Sequence, residues 1–133
     1  MREDFVSFSI AKKLKEKGYT LDTAYHYDDN GGIVVSLVEF DERCVYPCPE
    51  IHQVLKWLRD EKKIFIAINI GYCYESYEKP FPTNPKMEPI LKGYYYGIWE
   101  LGNLNDKNSL SKYFEAPEQA ALAGIEYVID NLI

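Results

Sequence analysis

Two apolar periodicities meet without a break in the middle of this chain. Ile51, Val54, Leu55 and Leu58 recur at i, i+3, i+4 and i+7, the spacing that lines one stripe of an α-helix. From residue 64 the period becomes two. Ile64, Ile66, Ile68 and Ile70 share one face of an extended strand, and Phe65, Ala67, Asn69 and Gly71 share the other. Pro49 suits the first turn of the helix, where an N–H would have no partner anyway. Glu50 opposes the positive end of the helix dipole, and Arg59, Lys62 and Lys63 crowd its negative end. An isoleucine row needs an apolar partner, and the helix stripe beside it in sequence is the nearest one. The stretch from Cys48 to Ile70 is expected to be the core unit.

The flanking segments extend this pair. Ser7 is a good N-cap for a helix from Phe8 to about Lys17, with Ile10, Ala11 and Leu14 as its apolar stripe. Gly18 reads as the residue just past its end, and Tyr19 supplies the hydrophobic contact that often follows. Lys12, Lys13, Lys15 and Lys17 read as a solvated face rather than a phosphate site. A hairpin is predicted next: a strand at Thr23 to Tyr27, a turn at Asp28 to Gly32, and a strand at Ile33 to Phe40. Its second strand is apolar on both faces, which suits cover on both sides or a dimer contact. Asp28, Asp29 and Asn30 lack the regular spacing and downstream Glu of a calcium loop, so a turn is the better reading. Ser76 to Pro89 is too rich in proline for a regular element. Ile90 to Leu101 returns as a strand antiparallel to the isoleucine run. Tyr94, Tyr96 and Ile98 lie on one face of it, with Tyr95 and Trp99 on the other. Lys112 to Phe114 suits a short edge strand. Pro117 opens a last helix whose stripe is Ala121, Ile125, Val128, Ile129 and Leu132, with Ala120 and Gly124 leaving room for a close neighbour.

The order α-β-β-α-β-β-(β)-α predicts one α+β domain over residues 1–133. Its antiparallel sheet should have four to five strands, packed with three helices mainly on one face. The C-terminal half alone has roughly the element order of double-stranded RNA-binding domains, but lacks the basic residues that RNA contact requires.

Composition narrows the function. The net charge of −6 argues against binding a phosphate backbone. No apolar run approaches the ~20 residues that span a bilayer, and the opening residues carry acids and no apolar signal core. A cytoplasmic location away from membranes is expected, with the three cysteines reduced. Tyrosine is the outlier, with 12 residues, and it offers apolar area with a polar tip. Tyr72, Tyr74, Tyr77, Phe81, Tyr95 and Trp99 are the candidate interaction surface, for a protein partner or a second copy in a homodimer. No catalytic, cofactor-binding or metal-binding residue is assigned, and no cofactor is expected. The alternative is a small thiol- or metal-dependent protein using Cys44, Cys48 and His52, four residues apart in each case. In that reading Cys48 gains reactivity from the helix N-terminus and from His52 one turn along. The bland reading of the same residues is a helix start with small buried thiols.

FVSFSIAKKLKEKGY (5–19), YPCPEIHQVLKWLR (46–59), KWLRDEKKIFIAI (56–68) and EQAALAGIEYVIDNLI (118–133) together give the chain a resemblance to a group of small proteins. These are uncharacterised proteins carried by prophages and mobile elements of gut anaerobes. The resemblance implies a shared architecture and carries over no catalytic or binding residue. With the tyrosine excess, it leads to the expectation of a non-enzymatic accessory protein acting through protein–protein contacts on a Tyr/Trp-rich face and the Pro-rich loop.

Overall fold

Ser7, Gly18 and Tyr19 bound the first helix as their chemistry dictates. The computed structural model describes residues 4–21, 23–35, 41–74, 89–100 and 109–133, excluding the side chains of 72–74, 89–90 and 109–110. Helix α1 spans Phe8–Glu16, and the Ser7 hydroxyl accepts the Ile10 N–H at 3.3 Å. At its far end Gly18 has a φ of 86°, a backbone conformation that favours glycine. The Tyr19 N–H then reaches the Leu14 carbonyl at 3.0 Å and the Gly18 N–H the Lys15 carbonyl at 3.2 Å. This is a Schellman closure, and it drives Tyr19 into the core with its ring edge-on to Trp57 at 5.1 Å.

Three short strands follow: β1 (His26–Tyr27), β2 (Ile33–Val34) and β3 (Tyr46–Pro47). The β1–β2 turn is held by Asp28, whose Oδ1 accepts the Asn30 and Gly32 N–H groups, each at 2.8 Å. Val34 is buried while Ile33 and Val35 are exposed, so the described part of this strand is covered on one side only. Residues 36–40 of the predicted strand lie outside the described residues.

Helix α2 (Ile51–Lys62) and strand β4 (Ile64–Tyr74) are the expected core pair. The helix begins two residues later than Pro49 suggests. Glu50 is the N-cap, and the Gln53 side chain accepts the Glu50 N–H at 2.9 Å. Strands β5 (Pro89–Glu100) and β6 (Ser109–Leu110) and helix α3 (Pro117–Asn131) complete the order. The predicted edge strand at Lys112 to Phe114 is displaced: the ladder forms at Ser109 and Leu110, followed by a single bridge between Phe114 and Tyr94.

The α+β class and the three helices are as expected, but the single sheet of four to five strands is not what forms among the described residues. The strands make two antiparallel sheets, ordered β2-β1-β3 and β4-β5-β6. The reason is local. Strand β1 pairs with β2 on one edge and with β3 on the other, so β1 itself offers no edge to the isoleucine strand, which pairs with β5 instead. One core nevertheless joins them. Helix α3 lies across β4 and β5, α2 packs on β4 and α3, and α1 packs on α3 and β3. Leu14, Val54, Leu58, Ile66, Ile98, Ile125 and Val128 are buried together in this cluster. Among the described residues no helix is long and apolar enough to cross a membrane.

Gly124 sets the approach of α3 to the sheet. A Cβ there would lie 3.0 Å from Ile66 Cγ2 and 3.1 Å from Tyr96 Cγ. Gly124→Val should therefore destabilise the fold by roughly 1–3 kcal/mol through overpacking, measured by urea unfolding. Tyr19 gives the opposite expectation. Its hydroxyl is buried without a hydrogen-bond partner among the described residues, and burial raises its pKa above the ordinary 10.0. A folded pKa raised above the unfolded one means that the contribution is present below pH 10 and lost as the pH climbs past it. Tyr19→Phe should leave neutral-pH stability unchanged or slightly raised, and should flatten the alkaline fall in stability. A loss of more than about 1 kcal/mol would reveal a partner for the hydroxyl.

Candidate functional site

Strand alternation decides which residues face away from the helices. The β4–β5 register pairs Phe65 with Trp99, Ala67 with Gly97, Asn69 with Tyr95 and Gly71 with Gly93. The alternate pairs include Ile66–Ile98 and Ile68–Tyr96, which lie under α3. The first set therefore forms the helix-free face. Phe65 is 40% exposed and Trp99 50%, as directly opposed neighbours.

Two glycines make room for a further aromatic. The segment after β6 runs beside β5 through reciprocal backbone bonds between Tyr94 and Phe114, at 2.8 and 2.7 Å. This lays the Tyr113 ring over Gly71, where a Cβ would collide with it. Gly93, at a φ of 135°, lies so close to the Phe114 carbonyl that a Cβ would sit 2.6 Å from the oxygen. The register slips between Gly71 and Tyr72, leaving Lys92 as the bulged residue, as expected of a glycine-marked bulge. Tyr113 is 54% exposed and meets the half-buried Tyr95 edge-to-face at 6.0 Å. The result is an aromatic band of Phe65, Trp99, Tyr95 and Tyr113 across three neighbouring segments.

Of the six residues expected at an interaction surface, Tyr95 and Trp99 lie on this face. Tyr72 and Tyr74 belong to the β4 backbone, opposite Leu91 and Pro89. Their side chains, and all of Tyr77 and Phe81 with the Pro-rich stretch up to residue 88, lie outside the described residues. Phe65 and Tyr113 were not among the six. Phe65 carried a signal, because alternation alone sets it opposite the isoleucine row. Tyr113 carried none, because its place depends on pairing with β5. Tyr96 belongs to the other side, between Phe114 and Tyr127, and burial raises its pKa.

The thiol–imidazole residues do not converge. Cys48 is 1% exposed, and burial raises its pKa despite an opposing hydrogen bond with Tyr27. The expected activation at a helix N-terminus fails because Glu50, not Cys48, caps α2 and because the thiol faces the core. It borders an apolar cavity of about 330 Å³ shared with Phe5, Tyr25, Ile33 and Leu122. His52 points to solvent, with Nδ1 3.0 Å from Glu50 Oε2. Cys44 is half-buried. Among the described residues no three His, Cys, Asp or Glu side chains are grouped to hold a metal ion.

The lysines of α1 are tied down more than a solvated face requires. Lys13 Nζ lies 3.1 Å from Asp130 and 3.6 Å from Glu126 on α3, and Lys15 donates to the Val45 carbonyl at 2.9 Å. These are exposed contacts that orient α1 and add little stability. Comparison of the chain with known protein families, curated proteins and solved structures found no match.

With its thiol buried and its pKa raised, Cys48 should resist alkylation in the native protein at neutral pH. Peptide mapping after brief iodoacetamide treatment should find Cys48 unmodified until denaturant is added. Labelling of Cys48 at the rate of a free thiol would restore the thiol reading.

Proposed function

We propose that this is a non-enzymatic accessory protein that works by protein–protein contact through the helix-free face of β4 and β5. The observation that carries the reading is the opposed pair Phe65 and Trp99, 40% and 50% exposed, continued by Tyr113 at 54%. Large aromatics grouped on one sheet face that no described helix covers are costly to leave in water. Tyr and Trp are the residue types that dominate binding energy at protein interfaces, because they desolvate well and keep a polar tip. The acidic balance of the chain favours a protein partner over a nucleic acid. The Pro-rich sequence between β4 and β5 is part of the proposal on its composition alone, and residues 75–88 lie outside the described residues. The site of action on this reading is the cytoplasm. The alternative built on Cys44, Cys48 and His52 has the burial of Cys48 and the exposure of His52 against it.

The test is affinity capture from the native host with the wild-type chain and with a Tyr95→Ala/Trp99→Ala variant. The variant should keep its circular dichroism and melt within a few degrees of wild type, while losing the captured partner. Partner capture unchanged in the folded variant would remove the face from the function. Unfolding of the variant would instead make the two residues part of the core.

A further inference from the structure

We propose that the cavity between the N-terminal segment, the β1–β2 turn and α3 binds a small, neutral aromatic molecule, of the size of two fused rings. The cavity has a volume of about 330 Å³ and is walled by Phe5, Tyr25, Tyr27, Ile33, Cys48 and Leu122. Protein interiors hold few voids larger than a water molecule, so a space of this volume departs from ordinary packing. It is roughly twice the ~150 Å³ of an apolar cavity that takes up benzene. It also reaches the range of ligand pockets, which begins at about 300 Å³. Ile33, 40% exposed, gives the cavity a mouth at the surface.

Main-chain bonds hold the walls in place. The Val6 N–H donates to the Pro49 carbonyl at 3.1 Å, and the Cys48 N–H to the Tyr25 carbonyl at 3.0 Å. The turn is closed by the Asp28 N–H on the Gly32 carbonyl at 2.8 Å. Gly31 and Gly32 add only backbone to the wall. A Cβ at Gly31 would press on the Phe8 ring at 3.2 Å, and one at Gly32 on Asp28 Oδ2 at 2.8 Å. The site is built before the ligand arrives, so binding needs little reorganisation.

The wall also selects the ligand. No charged side chain lines the cavity among the described residues, so an ionised group would lose its hydration without a partner. The buried hydroxyl and thiol are already engaged: Tyr27 Oη donates to the Val6 carbonyl at 2.6 Å, and Cys48 hydrogen-bonds to Tyr27. Recognition therefore rests on apolar contact. Three wall residues are aromatic, two of them, Phe5 and Tyr25, packed edge-to-face at 5.1 Å. Ring edges and faces suit a planar aromatic guest, and a flexible alkyl chain would lose more conformational freedom on entry. The cavity shares no residue with the aromatic band of β4 and β5, and the inference is independent of the function proposed for that face.

A methyl NMR titration of the full chain with naphthalene, and with 2-naphthoate as the charged counterpart, tests it. Expected is saturable binding of naphthalene that shifts the methyl signals of Val6, Ile33 and Leu122, with 2-naphthoate weaker by about tenfold or more. Leu122→Trp puts a ring into the cavity and should weaken naphthalene by about tenfold or more, with Ile33→Trp at the mouth as the second variant. Trp99→Ala should bind naphthalene as the wild type does. Absence of saturable binding, the outcome if the chain's own side chains occupy the space, overturns the inference. So does binding that spares the Val6 and Leu122 methyls, binding lost in Trp99→Ala, or equal affinity for 2-naphthoate. The methyl map decides whether or not the variants fold.

Discussion

One residue reverses the chain between helix α2 and strand β4, the core pair. Lys63 adopts φ 58° and ψ 33°, and is the one non-glycine with a positive φ among the described residues. Its N–H closes α2 on the Leu58 carbonyl, and its ammonium reaches back to the Asp60 carbonyl at 2.9 Å. A left-handed residue other than glycine costs on the order of 1 kcal/mol. Here that strain removes any loop between α2 and β4. With no slack, the stripe of Val54 and Leu58 must lie against the first isoleucines of the strand, and Ile64 and Ile66 are buried accordingly. A flexible glycine-rich connection would allow other angles between helix and strand. The single turn at Lys63 allows few, and α3 then seats on the surface that this pair creates.

The same constraint sets the chemistry of the opposite face. Because side chains alternate, fixing Ile64 and Ile66 inward places Phe65 and Ala67 outward, and pairing with β5 extends that choice to Trp99, Gly97 and Tyr95. Small residues occupy the positions where another chain segment approaches. Gly71 accepts the Tyr113 ring, and Gly124 accepts the sheet on the helix side. Large residues occupy the rest. The aromatic band is therefore positioned by core packing, although nothing in core packing requires those residues to be aromatic.

Local periodicity explains what could be read from the residues. The caps at Ser7 and Gly18, the stripe of α2, the isoleucine row and the start of α3 at Pro117 each rest on interactions within a few positions, and each forms where expected. The division into two sheets was not legible, because β3 is two residues, Tyr46 and Pro47, too short for any period to register. Its pairing with β1 spans about twenty residues and closes the second edge of β1. The candidate face was half legible for the same reason. Alternation within one strand places Trp99 and Tyr95, but Tyr113 comes into the band only through the backbone bridge between Phe114 and Tyr94. Cys48 shows the reverse failure. Its sequence position beside a helix start suggests activation, while its direction, set by the N-terminal segment that pairs Val6 with Pro49, buries it.

A strand that must bury one face is free to be polar on the other, and Asn69 shows that β4 tolerates this. Phe65 and Trp99 fall at positions where a threonine or lysine would serve the fold as well or better. Leaving two large aromatic side chains half in water forgoes on the order of 1–2 kcal/mol each in burial, relative to a site where they are covered. It also exposes the chain to nonspecific association, which natural sheets ordinarily suppress with charge. Among the described residues the exposed aromatics are Phe65 on β4, Trp99 on β5 and Tyr113 in the segment after β6, while no large apolar side chain is exposed on α1, α2 or α3. The cost therefore falls on one face of the β4–β5 pair, and contact with another chain on that face would remove it.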